Sequence, residues 1–453
     1  MDKRVYNGGR NIIFFSIYLL HLNKHTVRKV GNLMQLRKPI PIEEAVELVM
    51  KNRLSGEKEK VSIIESDNRR LAEPIIATND IPSFNKSPYD GFALRSEDTM
   101  NADENNTITL EIIEHIGAGV LPTKELKQGE ATRIMTGAQI PNGADCVVML
   151  EDTDTFSKDG KSFIILSKSM ESNQNIIEKG SEVKEGTVLV EEGTMINPGV
   201  KALMATFGYK EIFVAKKPLV GILATGTELL EVDEPIEPGK IRNSNAYMVA
   251  SQILRAGGVY KYFGKLADEF DSSYETVKQA LDEVDILITT GGVSVGDFDL
   301  MPAIYEKLEA NVLFNKVAMR PGSVTTVATL NDKILFGLSG NPSACYVGFE
   351  LFARPILQNY QFNKNPYLKR TKAKMVMDFP KANPFTRFVR SYITYADHGT
   401  LNVHLAGMDK SNVVSSLARS TSLMVLPGGT KGYQQGDFVD VLLLDDMEGQ
   451  ADF

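Results

Sequence analysis

Three short apolar runs in the middle of the chain have the character of buried strands. They span residues 219–224, 286–290 and 334–338, and each runs directly into a loop rich in glycine and hydroxyl-bearing residues. Helical patterns at 249–256 and 274–281 separate them. Strands that alternate with helices in this way favour a doubly wound, mostly parallel sheet.

The segments on either side of this α/β region follow a different pattern. A helix is predicted at 41–50, where acidic residues open the first turn and apolar residues share one face, and a strand is predicted at 71–76. Glycine and proline then separate short strands at 108–113, 132–135, 146–151 and 162–166. From residue 369 the chain returns to strands typical of a small β-barrel or sandwich, at 372–378, 387–395, 401–405, 421–426 and 438–444.

These patterns predict a multidomain fold that combines an α/β domain with β-rich domains. At 453 residues the chain is too long for a single hydrophobic core. The changes of pattern divide it into an elongated linker domain, an inserted β-rich domain, an α/β domain and a C-terminal β-barrel domain, at residues 34–78 with 181–217, 79–180, 218–367 and 368–453 respectively.

Residues 1–33 differ in character from the rest of the chain. The apolar run 12–20 is flanked by lysines and arginines, and it is shorter than the roughly 20 apolar residues that a transmembrane helix needs. No small-residue cleavage site follows it, which argues against a signal peptide. We expect translation to begin at Met34; an anchor on a membrane surface is the alternative interpretation.

The charge balance excludes some classes of function. Lys and Arg total 50 against 58 for Asp and Glu, a formal net charge of −8, and an acidic chain is poorly suited to binding nucleic acid. The two cysteines, Cys146 and Cys345, form no CxxC motif, which fits a reducing compartment, and we expect a cytoplasmic protein. The five histidines never fall at zinc-ligand spacing, so any metal should be a hard cation bound by oxygen.

Glycine loops after the parallel strands are candidates for binding phosphate. Glycine lets backbone amides approach an anion, and ligands of open parallel sheets bind beyond the carboxyl ends of the strands. The loop 290–297 matches neither a Walker A motif nor a dinucleotide fingerprint. One such loop alone would be read as a tight turn, whereas several in one sheet predict a phosphate-binding mouth with candidate residues Gly291, Gly292, Ser294, Gly296, Ser339, Gly340 and Asn341.

Acidic residues follow the same strands. Glu228 lies just past the first strand, Asp268 and Glu269 follow the segment 259–266, and Asp299 follows the glycine loop. Carboxylates gathered at one edge of a sheet repel each other unless a cation lies among them, and Mg²⁺ prefers such oxygen ligands. Helix N-terminal capping explains any single one of these acids equally well, so both interpretations stand.

Basic and hydroxyl residues complete the set of candidates. Lys316 and Arg320 would share a face if this segment were a strand, an arrangement able to grip one oxyanion, although a solvated edge strand is the plain alternative. Asp90 stands in a sharp turn, and Thr136 follows the end of a predicted strand. By spacing alone, the positions of Asp90 and Thr136 are ordinary turns.

Taken together, the motifs resemble those of the molybdopterin molybdenumtransferases, the MoeA family, which includes the gephyrin E domain. The resemblance runs from about Met34 to the C terminus, and no single motif carries it. The motifs follow the order of the family, at residues 87–93, 133–138, 143–149, 224–229, 290–299, 319–322 and 337–343.

The resemblance implies a fold with a molybdopterin-binding α/β domain and a defined reaction. Members of the family insert molybdenum from molybdate into adenylylated molybdopterin and release AMP in a Mg²⁺-dependent step. They are homodimers whose cleft is shared between subunits. Position by position, Asp90 and Thr136 match cleft residues of the β domain, while the α/β domain supplies the matching acids and basic pair: Glu228, Asp268, Asp299, Lys316 and Arg320.

Two departures from the family pattern affect how an anion would be held. Ser323 stands where the family usually has a basic residue, and Ser339 stands where proline often precedes Gly-Asn-Pro. Two other functions remain open: a molybdopterin adenylyltransferase, because related single-domain proteins share the sheet and glycine loop, and a cofactor-binding scaffold without turnover. The flanking domains argue against the first, and the retained acids argue against the second.

Overall fold

The computed structural model describes residues 38–293, 299–396 and 399–444. The sequence interpretation of residues 1–33 therefore falls outside the described part of the chain. The chain divides into two compact units, one of residues Lys60–Phe213 and the other of the residues on either side of that segment. Within the described ranges, no helix is both long enough and apolar enough to cross a membrane.

The Lys60–Phe213 unit is built on a six-stranded sheet, whose strands lie in the order β6 (Cys146–Met149), β3 (Gly91–Leu94), β5 (Glu130–Ile134), β4 (Ile108–Ile116), β8 (Lys161–Leu166) and β7 (Thr153–Lys158). Its core contains Phe92, Leu94, Leu110 and Ile164. This part of the chain, with the segment before it, has the elements α1 Ile42–Lys51, β1 Lys58–Ser62, β2 Ile75–Ile76, β3 Gly91–Leu94, β4 Ile108–Ile116, β5 Glu130–Ile134, β6 Cys146–Met149, β7 Thr153–Lys158, β8 Lys161–Leu166, β9 Val188–Val190, α2 Pro198–Thr206 and β10 Glu211–Ala215.

The α/β part of the second unit contains the doubly wound sheet expected from the sequence. Its strands lie in the order β14 (Val259–Lys265), β11 (Leu219–Ala224), β15 (Ile286–Thr290), β19 (Lys333–Leu338), β18 (Thr326–Leu330) and β16 (Asn311–Phe314). The first four strands are parallel, β18 pairs antiparallel with β19, and β16 pairs antiparallel with β18. The elements are β11 Leu219–Ala224, β12 Leu229–Leu230, β13 Ile241–Arg242, α3 Asn245–Arg255, β14 Val259–Lys265, α4 Phe270–Glu283, β15 Ile286–Thr290, α5 Met301–Lys307, β16 Asn311–Phe314, β17 Met319–Arg320, β18 Thr326–Leu330, β19 Lys333–Leu338, α6 Pro342–Gly348, a π-helical turn Phe349–Ala353 and α7 Arg354–Tyr360.

Helices cover both faces of this sheet. Val249 of α3 and Ile356 of α7 pack with the strands on one face, and α1 adds Val49 to the same core. On the other face, α4 contributes Val277 and α5 contributes Ile304. This arrangement buries the sheet on both sides, as a doubly wound architecture requires.

The C-terminal strands close into a barrel, which decides between the two architectures predicted for the tail. The strands are β20 Arg370–Met375, β21 Thr386–Tyr395, β22 Leu401–Leu405, β23 Ser422–Leu426 and β24 Phe438–Leu443. Each pairs with its neighbours in the order β21-β22-β20-β24-β23, and β23 pairs back with β21. β17 of the α/β part adds to the barrel by pairing in parallel with β21.

Some local predictions differ from the structure. The strand expected at 71–76 is only β2, because residues 72 and 73 form a bend instead. Asp90 lies in a turn, as the sequence indicates, but strand β3 begins immediately after it at Gly91, where no strand is predicted. Lys316 lies outside any strand, so the expectation that it shares a strand face with Arg320 is wrong; its neighbour Val317 makes only an isolated bridge with Ile40.

Candidate functional site

The carboxyl ends of the parallel strands open into a cavity of about 750 Å³, here called the sheet-edge cavity. This is where open parallel sheets bind their ligands. The cavity brings together loops that follow β11, β14, β15 and β19. Of the predicted site residues, it is lined by Glu228, Asp268, Gly291, Gly292, Asp299, Ser339, Gly340 and Asn341.

The glycine loop after β15 is held tightly against the loop after β11. Gly291 and Gly292 have φ values of +90° and +65°, and a Cβ at either position would lie within 2.7 Å of an atom of Thr225. Gly340 approaches the same loop closely, since a Cβ there would lie 3.6 Å from the Cα of Gly291. Asn245 donates from Nδ2 to the Gly340 carbonyl at 2.8 Å, which fixes the third loop. The loops therefore meet as the sequence predicted.

The acidic candidates separate into two groups. Glu269 caps the N terminus of α4, because its carboxylate accepts from the amides of Asp271 and Ser272 at 3.0 and 2.7 Å. For this residue the capping interpretation is the one that the structure supports. Glu228, Asp268 and Asp299 all line the sheet-edge cavity instead.

These carboxylates do not form a ready-made metal centre. Among the described residues, no group of three His, Cys, Asp or Glu side chains is arranged so that it could hold a metal ion. The donor chemistry nevertheless suits a hard cation, since the cavity is lined by carboxylate and hydroxyl oxygens. A cation here would have to complete its shell with water and with oxygens of a ligand.

A second cavity, of about 440 Å³, adjoins the first and is here called the arginine cavity. The two share Val324, Ser339 and Asn341 in their linings. The arginine cavity is lined by the cationic side chains of Arg320, Arg387 and Lys410, by the carboxylate Asp409, and by neutral polar residues that include Ser323, Ser411 and Asn412. Its cationic groups give an otherwise acidic chain a place to hold an anion.

Arg387, Asp409, Lys410, Ser411 and Asn412 are candidate site residues that sequence reasoning missed. All five come from the C-terminal barrel, which the sequence analysis treated only as a structural domain. A signal was available in the run 386–393, where arginines interrupt an otherwise apolar strand pattern. Charged residues in such a strand are costly to bury unless they are paired or serve a site.

Lys316 is placed differently from the other basic residues. Its carbonyl accepts from the amide of Ile40 at 3.2 Å, and its residue is half-buried. It is not part of the lining of either cavity. Ser294 and Gly296, the remaining predicted loop residues, lie outside the described residues.

Asp90 and Thr136 meet in the Lys60–Phe213 unit. Asp90 ends the turn before β3, Thr136 follows β5, and these strands pair with Gly91 opposite Ile134. The Oδ1 of Asp90 accepts from the amide of Thr136 at 2.7 Å and from its hydroxyl at 3.1 Å. The hydrogen bond from the Thr136 backbone amide has the larger effect, and together with the one from the Thr136 hydroxyl it holds the pKa of Asp90 below its ordinary value. That Asp90 and Thr136 share a crevice with the two cavities stays a prediction.

Three family models match successive parts of the chain. The MoeA N-terminal region (domain I and II) matches residues 40–208, the probable molybdopterin binding domain matches 221–359, and the MoeA C-terminal region (domain IV) matches 372–444. The last two matches contain the residues that line the two cavities.

Named relatives resemble the chain over nearly its whole length. It is 54% identical to the molybdopterin molybdenumtransferase of Bacillus subtilis, covering 92% of this chain and 97% of that protein. The enzyme of the same name from Staphylococcus epidermidis is 48% identical, covering 90% and 97%. Two crystal structures of Pyrococcus horikoshii MoeA proteins, 31% and 26% identical, align with TM-scores of 0.73 and 0.80, each covering 90% of this chain and all of the other. The chain therefore belongs to the MoeA family of molybdopterin molybdenumtransferases.

Proposed function

We propose that this transferase of molybdenum cofactor biosynthesis inserts molybdenum from molybdate into adenylylated molybdopterin and releases AMP. The observation that carries the proposal is the pair of adjoining cavities. The larger has a glycine-rich, acid-lined wall suited to a phosphorylated ligand, and the smaller has cationic side chains suited to an oxyanion. Because Val324, Ser339 and Asn341 line both cavities, ligands bound in the two cavities lie next to each other, where they can react.

The glycine loops bind the phosphates of the adenylylated substrate. Gly291 and Gly292 permit a close approach to the backbone, and Gly340 and Asn341 complete the same wall with Ser339. Ser294 and Gly296, which follow in the sequence and lie outside the described residues, belong to the same proposed set of phosphate-binding residues. The volume of the sheet-edge cavity, about 750 Å³, is in the range of a cofactor-sized ligand.

The arginine cavity binds molybdate. Molybdate is a tetrahedral dianion, and planar guanidinium groups can donate paired hydrogen bonds to such an anion. Arg320 and Arg387 supply these groups, with Lys410 as a further cation. Lys316 adds positive charge from outside the cavity lining. Ser323, where the family usually has a basic residue, offers a hydroxyl donor, so the arginines carry more of the binding here.

Mg²⁺ is the metal that suits the carboxylates of the sheet-edge cavity. Glu228, Asp268 and Asp299 would hold it together with phosphate oxygens and water, because the carboxylates form no closed metal centre among the described residues. When bound, it supplies neutralising charge for the phosphate oxygens as AMP leaves. The role of Glu228 and Asp299 is therefore to position the metal against the substrate.

The complete site needs a second copy of the chain. In this proposal Asp90 and Thr136 of one subunit face the sheet-edge cavity of the other, as a homodimer would arrange them. The four-domain division predicted from the sequence belongs to the same proposal, with the inserted domain 79–180 presenting Asp90 and Thr136. The reaction takes place in the cytoplasm, a location that suits two buried free cysteines, Cys146 and Cys345.

The test is AMP release by the purified protein. Given adenylylated molybdopterin, it should release AMP only when both molybdate and Mg²⁺ are present. If it instead forms adenylylated pterin from ATP and molybdopterin, it is an adenylyltransferase. If it binds adenylylated pterin but releases no AMP under any of these conditions, it is a scaffold. Either result would overturn the proposal.

A further inference from the structure

Asp409, one of the residues that line the arginine cavity, lies close to three cationic side chains. Its carboxylate lies 2.6 Å from Nη2 of Arg387, 3.7 Å from Nη2 of Arg390 and 4.0 Å from Nζ of Lys381. The Asp409 side chain is only 7% exposed, and the side chains of Arg387 and Arg390 are also mostly buried, so the ion pairs of Asp409 with these two arginines are little screened by solvent. A carboxylate in a cavity that binds an anion is unexpected, because two negative charges repel each other.

Arg390 shows how firmly this carboxylate is held. The Arg390 side chain is buried, and its Nη2 donates to the carbonyls of Met408 and Lys410 at 3.2 and 3.1 Å. Its Nε donates to the hydroxyl of Ser416 at 2.9 Å. Arg390 therefore fixes the backbone on both sides of Asp409, so that the carboxylate has a defined position close to Arg387.

Arg387 is the group whose position matters for the ligand. It lines the cavity, and in the parallel pairing of β17 with β21 it stands opposite Arg320. The positive charges of Arg320 and Arg387 repel each other, and a free arginine side chain populates many rotamers. The bond to Asp409 opposes both tendencies, because it ties the guanidinium of Arg387 to a fixed partner.

We propose that Asp409 is a positioning residue that holds Arg387 beside Arg320 for the oxyanion, and this inference rests on the proposed function of the cavity. Net charge alone makes the opposite prediction for how removal of the Asp409 carboxylate changes anion affinity. If only net charge mattered, removing the carboxylate would strengthen anion binding. If Asp409 positions Arg387, removing it weakens anion binding although the cavity becomes more positive.

The test is the dissociation constant for molybdate of the full-length Asp409→Asn variant, measured by titration calorimetry. We expect it to rise about tenfold, since misplacing a binding group is costly. Affinity for adenylylated pterin should stay unchanged, and KM for molybdate should rise more than kcat falls. An unchanged or lower dissociation constant for molybdate would overturn the inference. Asp440→Asn is the matched control, because Asp440 also pairs with an arginine and a lysine of the barrel but lies outside the cavity.

A double-mutant cycle separates positioning from a general structural role. If Asp409 acts through Arg387, the Asp409→Asn change should have almost no further effect on molybdate binding in an Arg387→Gln background. Additive losses would contradict the inference. Should Asp409→Asn fail to fold because Arg390 loses its partner, Asp409→Glu keeps the charge and moves it by one methylene. That variant should then bind molybdate at least about threefold more weakly than the wild type, and unchanged binding would overturn the inference.

Failure of the inference and failure of the proposed function give different results. If the wild-type protein neither binds molybdate nor releases AMP in response to it, the proposed function fails. If the wild type does both and Asp409→Asn matches it, only the role of Asp409 fails.

Discussion

Arg320 and Arg387 stand opposite each other where β17 of the α/β domain pairs in parallel with β21 of the barrel. Both side chains line the arginine cavity. The cavity thus depends on a strand pair that joins two regions with separate family-model matches. Through this pairing, the C-terminal barrel contributes Arg387 to a cavity that residues of the α/β part also line.

The first prediction concerns Arg387. Replacing it with glutamine should raise the dissociation constant for molybdate about 10- to 100-fold, because a hydrogen bond to a charged group contributes about 1.5–3 kcal/mol. The binding of adenylylated pterin should change little. Arg370→Gln is the control, since Arg370 also forms an ion pair on the barrel but does not line the cavity. Equal effects of the two changes on molybdate binding would mean that Arg387 does not bind the anion.

The second prediction concerns the acids of the sheet-edge cavity. Glu228→Gln and Asp299→Asn should each lower kcat by about 100-fold and raise the Mg²⁺ concentration needed for half-maximal rate, because each removes a charge that positions the metal. Glu237→Gln should have neither effect, since Glu237 lies outside the cavity. Full cofactor assembly by the first two variants would contradict their assigned role.

The third prediction compares two glycines that both have positive φ. Gly264 has φ +87° and open space around its Cβ position, so Gly264→Ala should lower the free energy of unfolding by about 1–2 kcal/mol through backbone strain alone. Gly291→Ala adds a clash with Thr225 and should cost about 2–5 kcal/mol. Urea denaturation of both variants measures the difference. Equal losses would mean that the loops are not packed as described.

The fourth prediction concerns the ionisation of Asp90. Hydrogen bonds from Thr136 lower its folded-state pKa, so the stability that they contribute is present above the unfolded pKa and is lost as pH falls through the folded value. Asp90 is therefore ionised at neutral pH and acts as a hydrogen-bond acceptor. Thr136→Val keeps the backbone amide bond, so the pKa should stay below its ordinary value. NMR titration of the carboxyl carbon checks this, and an ordinary pKa in the wild type would contradict it.

Much of the fold could be predicted because its strands carry clear apolar runs. Leu219–Ala224 and Ile286–Thr290 are buried on both faces, and their boundaries in the structure match those predicted. β16 and β18 were missed. Their short, mixed patterns give little local signal, and their place at the antiparallel edge is set by pairing with β19. Gly91–Leu94 was missed for a similar reason, since proline and glycine precede a strand of only four residues.

The candidate site was predictable where it depends on loops that follow strands. Glu228, Asp268 and Asp299 could be grouped because the ends of parallel strands must meet. Arg387 and Asp409 could not, because the pairing of β17 with β21 places Arg387 opposite Arg320, and an ion pair then joins Arg387 to Asp409, across distant parts of the sequence. Lys316 was grouped with Arg320 by spacing along an assumed strand; the shared strand face is wrong, because Lys316 lies before β17, and its place in the anion site stays a prediction.

In the proposed function, the phosphate-binding loops adjoin an oxyanion site formed by Arg320 and Arg387. Crystals of the protein soaked with molybdate, with diffraction data collected at the molybdenum absorption edge, test it most directly. We expect an anomalous peak in the arginine cavity, in contact with both guanidinium groups. A fully occupied molybdenum peak elsewhere, with that cavity empty, would contradict it.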